Sequence, residues 1–288
     1  MDIDALRTFL AFVDTGSFTR AAQQVCRTQS AVSMQMKKLE SDVANPLFVK
    51  QGRQLVLSNA GIQLASYAKQ LIALHDEAYK QLKTSAGQVR IRLGCPDDYA
   101  LSILPKITEL LHQLIEQLDL QITCASTTEL KNQLDQGLLD LIIATRSPSS
   151  EEGYFLHASS GVWVKSKEFS YHRDMTLPIA IFMRDCKFHQ AAIEGLLKTE
   201  RQFKVIGCCS SLSALDALVK NHLAIGAIAE ISKAESLIII DDPSLPALPA
   251  VDIVLLLANH THNPISQTMV KQLAEQFVNQ DKLVKPPA

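Results

Sequence analysis

From Val89 onward the chain alternates short β-branched runs with amphipathic helical stretches, and that alternation constrains the fold more than any other feature. "VRIRLGC" (89–95) is followed by a helical pattern with Leu104, Ile107, Leu111, Leu114 and Leu118 on one face. Then come strand "LQITCA", the short helix "TTELKNQLDQG" and strand "LLDLIIAT". Strands separated by helices return in the same direction, so this βαβαβ order predicts a mostly parallel sheet. A second run follows: "PIAIFM", a helix over 188–200, "FKVIGCC", a helix over 211–222, then "AIGAIA", "SLIII" and "DIVLLLA", with a closing helix over 264–280. The expectation is two α/β lobes joined by crossings, lobe I over about 88–162 and 259–288, lobe II over about 163–258. In such sheets ligands sit where loops leave the carboxyl ends of strands. The candidates are Pro96, Asp97, Asp98 and Tyr99 after the first strand, Ser126, Thr127 and Thr128 after the second, and Thr145 and Arg146 after the third. The second run adds Ser210 and Ser211. Each of these residues also has an ordinary use as a helix cap or a solvated loop. Helix starts at Thr127 and Ser211 suit an anion. Asp97 and Asp98 argue against a purely anionic ligand, unless Arg146 offsets them.

The first 57 residues have another period. Asp2 or Asp4 can cap a helix with Leu6, Phe9, Leu10 and Val13 on one face. "TGSFTRAAQQV" breaks at Gly16 and restarts with Ser17 as N-cap, burying Phe18, Ala22 and Val25. Thr28 then caps "QSAVSMQMKKLE", where Val32, Met36, Leu39 and Val43 form a core stripe. Its other face carries Ser30, Ser33, Met34 and Lys37, side chains too short for an ordinary solvated surface. Two short helices joined by a tight turn, the second with a short-chained face, make a helix-turn-helix. Two extended pieces in "NPLFVKQGRQLVLS" then form a hairpin wing with Lys50 and Arg53 at its tip and Gly52 in the turn.

That short-chained face fits a major groove. Gln29 can pair with a base edge, Ser30 and Ser33 can meet a donor or an acceptor, and Met34 can lie on a thymine methyl. Thr19, Arg20, Lys37, Lys38, Lys50 and Arg53 are placed for phosphates, as are the free amides at Ser17 and Thr28. Residues 1–87 hold 10 basic against 7 acidic side chains, a balance of +3, whereas the remainder carries −5. A basic module on an acidic body suits double-stranded DNA rather than a membrane surface.

The stretch "TFLAFVDTGSFTRAAQQVCRTQSAVSMQMKKLESDVANPLFVKQGRQLVLSNAG" resembles the amino-terminal domain of LysR-type transcriptional regulators. The elements "GSFTRAA", "QSAVS", "LE", "PLF" and "LSNAG" stand in family order and spacing. Within the family, "RTQSAVSMQMKKLE" and "PDDYA" are most similar to a subgroup of repressors of flagellar motility and secreted virulence factors. The resemblance implies an α + α/β chain: a winged helix-turn-helix (1–57), a linker helix and hinge (58–87) that pairs two copies, and a two-lobed periplasmic-binding-type domain (88–288) for a small-molecule effector. It also implies higher assembly into tetramers. Two departures matter. Met34 stands where many members carry arginine, so readout there leans on methyl contact. Ala44 replaces a common glycine at the helix end, and Asn45 is expected to supply the left-handed residue instead.

Between the two modules, Ser58 caps a helix in which Leu64, Ala68, Leu71, His75, Ala78 and Leu82 recur at alternating steps of four and three. Such a heptad seam asks for a partner helix, in the simplest case a second copy. Residues 58–83 span roughly 40 Å at the helical rise, and "KTSAGQ" (83–88) serves as a hinge.

No apolar run approaches the roughly 18 residues of a membrane span, and "MDIDALRTFLAF" is acidic where a signal peptide is basic. A cytoplasmic protein is expected. Catalytic motifs are missing: no G-x-S-x-G, G-x-G-x-x-G or G-x-x-x-x-G-K occurs. The "HTH" at 260–262 lacks a third ligand nearby, so no metal, cofactor or enzymatic activity is assigned. Six cysteines without C-x-x-C spacing suit a reducing compartment. Cys208 and Cys209 end an apolar strand as buried thiols. A thiol-based redox sensor, with Cys186 in the same lobe, is one alternative on this scaffold, and a small-molecule enzyme using the α/β body is another.

Overall fold

The computed structural model describes residues 1–52, 54–83, 88–172, 175–260 and 263–284. Two compact units divide it, one over Met1–Gly87 and the other over most of Gln88–Ala288. Several sequence assignments fall outside these residues: Arg53, most of the hinge, Thr261 and His262, and the side chain of Leu82.

The first unit contains α1 (Ile3–Thr15), α2 (Phe18–Gln24), α3 (Gln29–Val43), the hairpin β1 (Phe48–Gln51) and β2 (Gln54–Leu57), and α4 (Asn59–Lys83). Asp2 caps α1 by accepting the Ala5 amide at 2.7 Å, and Gly16 ends it in the left-handed region at φ 64. Thr28 caps α3 through the Ala31 amide at 3.2 Å. Ser17 occupies the N-cap position of α2, but its side chain makes no cap bond. The α1 face also differs in detail, since Phe12 is buried whereas Leu10 and Val13 are half-buried. Phe12 is recruited by aromatic neighbours: its ring lies 4.7 Å from Phe18 and 4.9 Å from Phe48. Such ring pairs add to the area they bury.

The end of α3 corrects another expectation. Ala44, not Asn45, takes the left-handed backbone, at φ 53. The Asn45 amide bonds to Glu40 O at 3.3 Å and the Ala44 amide to Ser41 O at 3.2 Å. That paired closure requires the left-handed residue at the first position after the helix, whatever its identity. The Glu40 carboxylate then accepts the Leu47 and Phe48 amides at 2.8 and 3.2 Å, fixing where the wing begins. Ser58 donates to Pro46 O at 2.6 Å and accepts the Gly61 amide at 3.0 Å. A Cβ on Gly61 would sit 2.3 Å from Leu47 O, so this close approach needs glycine.

The second unit follows with β3 (Val89–Cys95), a 3₁₀ turn (Asp97–Tyr99), α5 (Leu104–Leu114), β4 (Leu118–Cys124), α6 (Thr127–Asp135), β5 (Leu141–Arg146) and β6 (Tyr154–Ser166). After these come β7 (Leu177–Phe182), α7 (Lys187–Lys198), β8 (Phe203–Cys209), α8 (Leu212–Lys220), β9 (Ile225–Ala229), β10 (Leu237–Ile239), β11 (Ala250–Leu257) and α9 (Gln267–Val284). Leu118 belongs to β4 rather than to the face of α5, because Ile115 turns extended and ends the helix.

The strands run in the order β4-β3-β5-β11-β6-β9-β7-β8, with β10 on β6. Each end of this order is a parallel βαβ trio, as the alternation predicts. The middle is antiparallel and corrects the lobe boundaries. β11 pairs with β5 from Asp252↔Arg146 to Leu257↔Leu141, so it lies in the first lobe's sheet and not in the second lobe. β6, for which no strand is expected from the sequence, pairs with β11 over Tyr154–Ser160 and with β9 over Gly161–Val164. One strand thus serves both lobes. Apolar side chains of α5, α7 and α9 cover the sheet, among them Ile107, Leu111, Phe188, Leu273 and Phe277.

Candidate functional site

The exposed face of α3 is built by its own spacing. Val32, Met36 and Leu39 are buried against the core of the first unit, which turns Gln29, Ser30, Met34, Lys37 and Lys38 outward. Met34 is 73% exposed, a large apolar side chain held in solvent by the helix around it. Ser33 is half-buried, and the Gln29 amide donates to its hydroxyl at 3.2 Å. Thr28 and Ser30 hydroxyls lie 3.1 Å apart. Two pairs of polar side chains at the start of α3 are therefore bonded to one another. Thr19, Arg20 and Lys50 are exposed and Ser17 is half-buried. Arg27, unassigned from the sequence, reaches Gln35 at 3.4 Å and Asp4 at 3.5 Å, which ties the turn to α3 and to α1.

On α4 the structure redistributes the seam. Ala68 is buried in the first unit's own core, which corrects it from a pairing to a packing position, and Leu64 is half-buried against the same core. The cause is α1, whose Arg7 is ion-paired with Asp76 of α4. Exposed apolar side chains are Ile62, Tyr67, Leu71, Leu74 and Tyr79. Tyr67, Leu71 and Leu74 continue the four-and-three spacing on a face rotated from the expected one. His75 is exposed, with Nδ1 3.1 Å from the Asp76 carboxylate.

In the second unit a cavity of about 1010 Å³ opens at the carboxyl ends of β3, β4, β5, β7 and β8. Most strand-end candidates line it: Asp97, Asp98, Ser126, Thr127, Thr128, Thr145, Arg146 and Ser210. Tyr99 does not, because its side chain is fully buried and its hydroxyl meets Thr145 Oγ1 at 2.8 Å. Ser211 does not either, and its hydroxyl is 2.6 Å from that of Ser213. The anion site expected at Ser211 is already filled. Asp97 Oδ2 accepts the Leu212 amide at 2.6 Å, so a carboxylate of the first lobe caps α8 of the second. At α6, the Thr127 hydroxyl accepts the Thr145 amide at 3.2 Å. Arg146 does not offset the aspartates. Its guanidinium is bound to Asp252 at 3.2 Å and to Glu152 O at 2.6 Å.

The candidates named from the sequence leave out a second wall, made by Phe182, Met183, Cys186, Lys187, Phe188 and Cys209. A clue lies in the run "FMRDCKF" at the end of β7, which stands at another strand terminus. Burial pushes the Cys186 thiol up to about 11 and raises those of Cys124 and Cys209. None of these three is therefore an activated thiolate. Cys208 is exposed and Cys209 buried, because successive side chains of β8 face opposite ways. That corrects the expectation of two buried thiols. No helix among the described residues is long and apolar enough to cross a membrane.

Comparison with known proteins places both units. Residues 3–62 match the family model described as bacterial regulatory helix-turn-helix protein, lysR family, and residues 85–278 the one described as LysR substrate binding domain. The HTH-type transcriptional regulator DgdR of Burkholderia cepacia is 34% identical over 256 residues, covering 88% of this chain and 87% of its own. PecT of Dickeya dadantii, also an HTH-type transcriptional regulator, is 33% identical over 250 residues, covering 86% and 79%. Full-length CbnR in complex with its target DNA shares the fold with a TM-score of 0.65 at 14% identity, over 96% of this chain and 100% of that one.

Proposed function

The chain belongs to the LysR family of bacterial helix-turn-helix transcriptional regulators, and we propose that it reads its operator through α3 and tunes that reading with a small molecule held in the second unit's cavity. The bonded pair Gln29–Ser33 on the exposed face of α3 carries the first half of this reading. Base contacts specify sequence, whereas Arg20, Lys37, Lys38, Lys50 and Arg53 neutralise phosphates and set register. Two copies paired through Tyr67, Leu71 and Leu74 of α4 would present two recognition helices to spaced half-sites. Pairing of these dimers into tetramers is the further assembly we expect.

The cavity carries the second half. Its size suits a small metabolite, and it joins strand ends of both lobes. A ligand there biases the lobe arrangement by its differential affinity for the two states, and so the fit to paired half-sites. Thr128, exposed at the start of α6, is a residue the ligand would touch. Repression of motility or secreted-virulence genes is the process we assign, supported by "RTQSAVSMQMKKLE" and "PDDYA". The raised thiols at the cavity favour regulation over nucleophilic or thiol-redox chemistry.

A footprint on genomic DNA, repeated with candidate metabolites, tests the whole reading. Gln29→Ala should relax sequence preference and leave nonspecific binding nearly intact, while Arg53→Ala should weaken all sequences alike and flatten the salt dependence. Equal losses on operator and random DNA for Gln29→Ala would remove α3 from the groove. Thr128→Val should abolish the metabolite response and spare metabolite-free DNA binding.

A further inference from the structure

Charge is distributed unequally around the cavity. Among the described residues, six carboxylates line it: Asp97, Asp98, Glu129, Asp135, Glu152 and Asp185. The cations there, among the described residues, are Lys131, Arg146 and Lys187. Lys131 is bound to Glu152 at 2.6 Å and Arg146 to Asp252 at 3.2 Å. Lys187 donates to the Ser147 hydroxyl at 2.7 Å, and desolvation with Lys131 nearby holds its ammonium below the usual lysine range. Among the carboxylates, Asp97 is engaged at the start of α8, and Glu129, Asp135 and Asp185 are exposed to water.

Asp98 differs from all of them. It is half-buried in the cavity wall on the 3₁₀ turn after β3, and only its own backbone amide supports its charge among the described residues. Among the described residues, the titratable groups that interact with it are Asp97 on the same turn, Tyr99, Cys95 at the end of β3 and Cys186 at the start of α7. Every one of them is an acid. A carboxylate half-buried without a cation is disfavoured in its charged form, and a cationic ligand would supply the missing partner.

We infer that the effector carries a protonated amine on a largely apolar body, with Asp98 as its counter-charge and Phe182, Met183 and Phe188 around the body. This deepens the reading of the cavity as the effector site and rests on it. Protonation of Asp98 supports the same assignment. Desolvation, with Asp97 adding repulsion, pushes its carboxyl up to about 7, while Cys95, Tyr99 and Cys186 are all pushed up and stay protonated. Amine binding must then displace a proton from Asp98 at and below neutrality, so affinity should fall as the solution is acidified through that range.

The test uses the full chain and matched probes: pentylamine and benzylamine, their neutral counterparts pentanol and benzyl alcohol, and the anions pentanoate and benzoate. Thermal shift and titration calorimetry are run at about pH 8, above the Asp98 midpoint, and again at about pH 6. The amines should stabilise the protein, the alcohols and carboxylates should not, and amine affinity should drop at the lower pH. Asp98→Asn should weaken amine binding roughly tenfold or more, the loss of one charged hydrogen-bond partner. Benzoate stabilising more than benzylamine, no response to any amine, or an unchanged amine affinity in Asp98→Asn overturns the inference. The wild-type pH profile decides if Asp98→Asn does not fold, because affinity independent of pH overturns the inference as well. If benzoate binds and Thr128→Val removes that binding, only the amine assignment falls and the cavity stays the effector site. If no probe of either charge responds to Thr128→Val or to Asp98→Asn, the cavity reading falls with it.

Discussion

Replacing Asp97 should loosen the second unit by an amount that separates two contributions. Asp97 Oδ2 is the acceptor for the Leu212 amide, 115 residues away, and Leu212 is 3% exposed. Ser211, the residue at the N-cap position, makes no cap bond. Asp97→Ala therefore leaves a buried N–H without a partner, which costs about 1–3 kcal/mol. It also removes a negative charge from a helix N-terminus, a further ~0.3–1 kcal/mol. Asp97→Asn keeps an acceptor and loses only the charge, so it should cost only the smaller amount. Trp163, the chain's single tryptophan, reports on this unit alone, because it is buried in β6 with its indole N–H on Pro246 O at 2.8 Å. Urea unfolding followed by tryptophan fluorescence should show the midpoint of Asp97→Ala falling by about 1 M, taking a slope near 2 kcal/mol/M. Salt should shrink the gap between wild type and Asp97→Asn, and leave the gap between Asp97→Asn and Asp97→Ala in place. Equal midpoints for all three proteins would refute the capping argument.

Other substitutions test other links in the reasoning. Ala44→Gly should stabilise the first unit by about 0.5–1 kcal/mol, since Ala44 sits at φ 53; a lower melting temperature by circular dichroism would contradict it. Leu71→Asp, on the exposed face of α4, should dissociate the dimer in sedimentation and collapse operator affinity with it, because a charge would be buried against its symmetry mate. A variant that remains dimeric places the pairing surface elsewhere. Asp98→Asn should stabilise the ligand-free protein with a defined pH dependence. The folded carboxyl titrates at about 7 against an ordinary 3.8, so the folded state holds its proton more tightly and wild type loses stability as pH rises between those values. The advantage of the variant should grow across that window and level off above it, and a melting-temperature difference that is flat with pH would count against it.

Much of the architecture was legible where local rules suffice. β3 and β8 occupy the runs read as "VRIRLGC" and "FKVIGCC", and Thr28 starts α3 as its side-chain chemistry predicts. Legibility fails where a residue's partner is remote. "YFLHASSGVWVKS" carries Ser159, Ser160 and Gly161 in its middle, which locally suggest a turn, yet it is one strand because β11 and β9 claim its two halves. Ala44 is left-handed because the closure of α3 demands that position, against the preference of its side chain. Leu64 and Ala68 have seam spacing but pack inside their own unit, and periodicity alone cannot say which surface a stripe meets.

The charge of the cavity shows how one topological error propagates into chemistry. Behind its first residue, Asp252, "DIVLLLA" is an uninterrupted apolar run, and such a run fits a buried strand in either lobe. Placed in the second lobe, it leaves Arg146 as a free cation at the cavity, able to balance Asp97 and Asp98 and admit an anion. In the structure β11 pairs with β5, and the register sets Asp252 opposite Arg146. Their side chains then meet at 3.2 Å, both nearly buried, with Glu152 O holding the guanidinium from the other side. A guanidinium so engaged has little field left for a ligand, and a second anion would have to compete with Asp252. Strand order, more than the loop composition read from the sequence, decides which charges are free: among the described residues it engages Arg146 and leaves Asp98 without a cation.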